Sequence, residues 1–98
     1  MEHYLQQLIN ELKLRAMSPK TLKAYCSCVR FFLQYLQAGG TLDVQLNIPK
    51  IKTFLLSKQA QGLSPQSVNL YLNAIRFFYR WVLQNSEPIP IRFAKRPL

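Results

Sequence analysis

Apolar residues recur at helical spacing from the first turn of the chain. Leu5, Leu8, Ile9 and Leu12 stand at i, i+3, i+4 and i+7, which predicts one amphipathic helix over residues 2–16. Ser18-Pro19 then resets the chain: Ser18 can accept from the first free N–H groups, and Pro19 suits the first helical position. A second helix runs from there to about Gln37. Ala38-Gly39-Gly40 ends it, because glycine accepts the left-handed geometry of a C-cap. Asn47 predicts the cap of a third helix over about 48–61, with Pro49 tolerated in its first turn. Ile51, Phe54 and Leu55 point inward there, and Gly62 stops it. Ser64-Pro65 opens a fourth helix to about Gln84, and residues 86–98, with three prolines, read as extended. No stretch alternates as a strand does, so the expected fold is all-α with four helices.

The chain also repeats itself. Slid by 46 residues, Met17-Ser18-Pro19-Lys20-Thr21-Leu22 falls on Leu63-Ser64-Pro65-Gln66-Ser67-Val68. Tyr25 falls on Tyr71, Val29 on Ile75, and Arg30-Phe31-Phe32 on Arg76-Phe77-Phe78. Caps, core positions and a charged position match together. Helices 1–2 and 3–4 therefore read as two pseudo-repeated hairpins of one small bundle.

Placed at about 100° per residue, helix 2 carries Leu22, Tyr25, Cys26, Val29, Phe32, Leu33 and Leu36 on its core stripe. Its polar stripe is Lys20, Lys23, Ser27, Arg30, Gln34 and Gln37, without an acid. Helix 4 repeats the plan. Val68, Tyr71, Leu72, Ile75, Phe78, Tyr79 and Val82 face the core, and Gln66, Asn69, Asn73, Arg76 and Arg80 form a second acid-free stripe. A third sector is apolar on both: Ala24, Cys28, Phe31 and Tyr35, then Leu70, Ala74, Phe77 and Trp81. It either completes the core or faces another protein surface.

Composition sharpens this picture through charge. Thirteen Lys and Arg stand against four Asp and Glu in 98 residues, a net +9. That surplus on one small domain points to a polyanion, nucleic acid before an anionic membrane. The acids, Glu2, Glu11, Asp43 and Glu87, are scattered, and His3 is the one histidine, so neither a carboxylate pair nor an HExxH site exists. Three glycines make no phosphate loop. Cys26 and Cys28 are too few for a disulfide framework and stand two apart on a helix, where they diverge; they read as reduced, buried thiols. No metal or cofactor is expected. Without a signal peptide or long apolar run, the expected location is cytoplasmic and no membrane partner is expected. Lys13 and Arg15 complement the end of helix 1, and Lys50, Lys52 and Lys58 read as a solvated face of helix 3.

The two acid-free stripes are the candidate site. Lys and Arg neutralise phosphates, and Asn, Gln and Ser bond phosphate oxygens or base edges. The run Leu14-Arg15-Ala16-Met17-Ser18-Pro19-Lys20-Thr21-Leu22-Lys23-Ala24-Tyr25, with Phe31-Phe32 after it, resembles the first half of the N-terminal core-binding domain of tyrosine recombinases, the phage integrases. Gly62-Leu63-Ser64-Pro65-Gln66-Ser67-Val68-Asn69, then Ile75-Arg76-Phe77-Phe78-Tyr79, resembles the second half. The likeness covers about residues 5–90.

That resemblance implies a four-helix, SAM-like bundle lying on one side of double-stranded DNA, its second and fourth helices toward the duplex. The contacts it implies are Lys20, Thr21, Lys23, Ser27 and Arg30, then Gln66, Ser67, Asn69 and Asn73, with Arg76 and Arg80 further along helix 4. It implies a domain over 1–86 and, over 87–98, the start of a basic linker to a catalytic domain outside these residues. The family's catalytic Arg–Lys–His–Arg set and nucleophilic tyrosine belong to that second domain. Tyr4, Tyr25, Tyr35, Tyr71 and Tyr79 are accordingly not read as the nucleophile, and the fragment itself is not read as an enzyme. In the whole recombinase the implied assembly is a homotetramer, with the isolated domain monomeric. The alternative from another class is a helical protein-interaction module whose charge serves solubility.

Overall fold

A computed structural model describes residues 1–92. Four helices follow in order: α1 (Glu2–Leu14), α2 (Pro19–Gln37), α3 (Ile48–Ala60) and α4 (Pro65–Phe77). α4 runs on into a π-helical turn, Phe78–Val82, closed by Leu83 N–H donating to the Phe78 carbonyl at 3.1 Å. The expected fourth helix to about Gln84 thus changes its winding at residue 78. No strand occurs among the described residues. No helix there is long and apolar enough to cross a membrane.

Each cap expected from sequence is in place. The Ser18 hydroxyl accepts from Thr21 N–H at 3.2 Å, the Asn47 carboxamide from Lys50 N–H at 3.1 Å, and the Ser64 hydroxyl from Ser67 N–H at 3.2 Å. Each takes up a backbone donor that the first turn of a helix cannot pair internally. Proline stands in the first turn after all three caps.

α1 packs on α2, α3 on α4, and the repeat-equivalent helices α2 and α4 pack on each other. The two smallest buried side chains, Cys28 and Ala74, hold equivalent places on that central pair. The core continues through Leu5, Leu8 and Leu12 of α1, Val29, Phe32, Leu33 and Leu36 of α2, Ile51, Phe54 and Leu55 of α3, and Val68, Leu72, Ile75, Phe78 and Tyr79. Phe32 sits at its aromatic centre, edge-on to Phe54 at 5.3 Å and to Tyr79 at 6.2 Å. Leu22, Tyr25, Cys26, Tyr71 and Val82 of the expected core stripes are half-buried at its margin.

Two features depart from the expectation. Residues 87–92 do not leave the bundle at 87: Ile89 is buried in the core and Ile91 packs against it. Residues 93–98, including the expected basic linker residues Phe93, Lys95 and Arg96, lie outside the described residues. The apolar third sector divides. Cys28 and Ala74 are buried, Ala24, Tyr35 and Phe77 half-buried, and Phe31, Leu70 and Trp81 exposed.

The repeat extends to the helix ends. After α1, Met17 N–H donates to Leu12 O and Ala16 N–H to Lys13 O; after α3, Leu63 N–H donates to Lys58 O and Gly62 N–H to Gln59 O. Both are the same C-terminal motif, with one residue in the left-handed region. Gly62 holds that place at φ 91° without strain, but Ala16 holds it at φ 56° with a Cβ. Ala16→Gly is therefore expected to stabilise the domain by about 0.5–1 kcal/mol, and Gly62→Ala to destabilise it by a similar amount. Thermal melting followed by circular dichroism reads this as opposite Tm shifts of roughly 2–8 °C.

Candidate nucleic-acid interface

The α2 stripe stands as the sequence placed it. Lys20, Lys23, Arg30, Gln34 and Gln37 are exposed and Ser27 is half-buried among them. Among the described residues the one ion pair is Arg15–Glu11 at 3.6 Å, so no carboxylate neutralises Lys20, Lys23 or Arg30. Thr21 and Ser67 have a prior duty. The Ser18 hydroxyl donates to the Thr21 hydroxyl at 3.0 Å, and Ser64 donates to Ser67 at 3.2 Å. Each receiving hydroxyl keeps its own proton to donate outward.

The α4 stripe does not survive whole. Gln66, Asn73 and Arg80 are exposed, but Ser67, Asn69 and Arg76 are half-buried. Asn69 lines a cleft with Leu55, Leu56, Leu72 and Ile91. The Arg76 guanidinium donates to the carbonyls of Ile89, at 2.9 Å, and of Ile91. Those two carbonyls converge because Ile91 N–H closes a tight turn onto Ile89 O at 2.8 Å. Arg76, expected on DNA, is thus a clasp for the chain's own segment 89–91. The exposed strip of α4 runs instead through Gln66, Leu70 and Asn73, with exposed Arg80 in the π-helical turn beyond. Sequence periodicity could not show this, because the competing acceptors are backbone carbonyls 13 and 15 residues away. Hydrogen bonds from a charged donor are each worth about 1.5–3 kcal/mol. Arg76→Ala is expected to speed amide exchange at Ile91 by tenfold or more, with little effect elsewhere in the bundle.

Two cations depart from the sequence expectation. Arg15 lies over the Trp81 ring at 3.8 Å from its centroid and over Phe77 at 5.7 Å. Lys58, expected on a solvated face, lies half-buried over Phe31, Phe54 and Tyr71 at 5.1–5.5 Å. The arrangement is two-fold in character. The end of α1 seats a cation on Phe77, and the end of α3 seats one on the repeat-equivalent Phe31. A cation over a ring face is attracted by the ring quadrupole. Phe31 remains 48% exposed and Trp81 40% exposed.

The family described as phage integrase, N-terminal SAM-like domain, matches residues 4–89. The chain belongs to that family. It is 33% identical over 74 residues to tyrosine recombinase XerC of Xanthomonas campestris, an alignment covering 74% of this chain and 23% of that protein. It is 31% identical over 86 residues to tyrosine recombinase XerA of Thermococcus onnurineus, covering 88% and 28%. Tyrosine recombinase XerD of Listeria monocytogenes is 30% identical over 89 residues, covering 89% and 29%. The chain thus spans about a quarter of the length of these relatives.

Within this SAM-like domain burial shifts a few tyrosines and the cysteines. No three His, Cys, Asp or Glu side chains come together among the described residues. Burial raises Tyr25 and Tyr71, each further raised by nearby Cys28, and pushes Tyr79 up to about 12. Burial likewise pushes the Cys28 thiol up to about 11, against a smaller opposing effect of Lys58. Both thiols are reduced, with Cys28 buried and Cys26 partly so. A raised folded-state pKa means that the native domain holds a proton that the unfolded chain releases between about pH 9 and 11. Stability then falls as pH rises through that window, and falls further toward 12 through Tyr79. Urea midpoints are expected to drop between pH 8.5 and 10.5, and less steeply in Cys28→Ala.

Proposed function

We propose that this domain grips duplex DNA at the core site of a site-specific tyrosine recombinase, while a catalytic domain further along the same protein cuts and rejoins the strands. α2 faces the duplex with Lys20, Lys23 and Arg30 on phosphates and Thr21 and Ser27 donating hydroxyl hydrogen bonds. α4 faces it with Gln66 and Asn73, and with Arg80 toward the end of the helix. Ser67 and Asn69 lie at the margin of that surface. The single observation that carries this reading is the exposed cationic strip of α2, without a carboxylate on it or paired to it, in a domain of net +9. Membership of the integrase family and likeness to tyrosine recombinases support it.

The domain is the part that clasps one side of the duplex, and the burial of Ile89 with Ile91 packed on the core supports a domain that runs to about residue 91 before the linker to the catalytic domain. In the whole protein four copies assemble around two paired sites, and the isolated domain is a monomer. The nucleophilic tyrosine belongs to the catalytic domain.

Fluorescence-anisotropy titration of duplex DNA tests the reading. With roughly five phosphates engaged, affinity is expected to fall by two to three decades between about 50 and 200 mM salt. Lys23→Glu/Arg30→Glu is expected to weaken binding and to cut the salt slope by about two, one for each phosphate no longer neutralised. Lys50→Glu/Lys52→Glu, with the same change in charge on α3, is expected to leave the slope near wild type. Equal effects of the two variants would reduce the interaction to net charge. Absence of binding at low salt would favour the protein-interaction module.

A further inference from the structure

The two halves of the repeat carry different chemistry on equivalent surface positions. Lys20 of α2 corresponds to Gln66 of α4, Lys23 to Asn69, and Ser27 to Asn73. From Pro65 to Ile75 α4 carries no charged side chain, although the 98 residues together are net +9. The first charge on the stripe, Arg76, is committed to the carbonyls of Ile89 and Ile91. What the first three turns of α4 present to solvent is Gln66, Leu70 and Asn73, at i, i+4 and i+7 on one strip. Leu70 is 37% exposed there, whereas its repeat equivalent is the small, half-buried Ala24. A leucine held in water between two carboxamides adds little to a core.

Base-edge chemistry accounts for this set. In the major groove adenine offers an acceptor at N7 and a donor at N6, which a carboxamide matches with two hydrogen bonds; thymine offers a methyl group, which an apolar side chain covers. Guanine is read by Arg or Lys, and cytosine by a carboxylate. α4 presents the first pair of tools on this strip and neither of the second. Resting on the DNA-binding reading above, we propose that Gln66, Leu70 and Asn73 form a reader of A·T base pairs in the major groove. The carboxamides bond adenine N6 and N7, and Leu70 packs on a thymine methyl. α2 supplies the phosphate grip, so the duplicated faces divide the work between affinity and sequence choice.

The test uses the full chain and duplexes of equal length whose central block is all A·T or all G·C, at one salt concentration. The A·T duplex is expected to bind about tenfold tighter or more. Replacing thymine by uracil removes only the methyl group and is expected to weaken wild type about fourfold. Leu70→Ala should bind the thymine and uracil duplexes equally. Replacing adenine by 7-deazaadenine removes N7 and should weaken wild type but not the double variant Gln66→Ala/Asn73→Ala. All three positions are exposed, so these variants are expected to melt near the wild-type Tm and to keep the wild-type salt slope. A steep slope with equal affinity for A·T and G·C would overturn the reader and leave DNA binding standing. A preference that survives both base analogues would place recognition in minor-groove shape and also overturn it. Absence of binding to either duplex would remove DNA binding itself, and the reader with it.

Discussion

The close pairing of α2 with α4 is the constraint on which the rest of this domain depends. These are the equivalent helices of the two hairpins, they pack on each other, and the small residues Cys28 and Ala74 are buried at equivalent places on them. A larger side chain at either buried position would have to displace its neighbours, because interiors are packed near crystal density. Phe31 with Lys58 and Phe77 with Arg15 are two of the contacts that tie each hairpin to the other's central helix, beside Phe32 with Phe54. The burial that keeps the Cys28 thiol protonated and the seating of both cations follow from the same geometry.

Duplication explains which residues are shared, and divergence explains which are not. Caps, left-handed helix ends and core aromatics recur at equivalent positions because both hairpins solve the same packing problem. Surface positions are released from that requirement. On the polar stripe the first copy has lysines where the second has carboxamides, and of the stripe positions only Arg30 and Arg76 keep the same residue. Even that match is deceptive. Arg30 stands in solvent, whereas Arg76 is clasped to the segment that follows α4.

Local signals carried most of the fold into the sequence. Ser18, Asn47 and Ser64 announce helix starts because their hydroxyl or carboxamide oxygens satisfy N–H groups within three residues. The core stripes were legible because burial imposes a period of 3.6 on apolar residues. The candidate site was legible on α2, whose exposed face meets no other part of the described chain, and only in part on α4. Contacts distant in sequence were not legible. Ile89 entering the core, Arg76 clasping carbonyls 89 and 91, and Lys58 over Phe31 and Tyr71 all pair residues whose spacing has no period. The π-helical turn was hidden for the same reason, since Phe78 and Tyr79 fit an α-helical core stripe equally well.

How this domain tolerates so much positive charge bears on which cations act. Four acids cannot neutralise thirteen bases, and the described residues hold a single ion pair. Compensation comes instead from dipoles and rings. Arg76 lies on two carbonyls, Lys58 on three aromatic faces, and Arg15 on Trp81 as well as on Glu11. Each of these interactions stabilises its cation inside the fold, so presenting it to a phosphate would first require breaking that interaction. Lys20, Lys23 and Arg30 incur no such cost. They lie on one exposed strip beginning at a helix N-terminus, where the helix dipole is also positive. No carboxylate among the described residues is paired to them. A structural role thus sets Arg15, Lys58 and Arg76 apart, while Lys20, Lys23 and Arg30 stand together on one exposed strip of α2, the strip on which the proposed DNA grip rests.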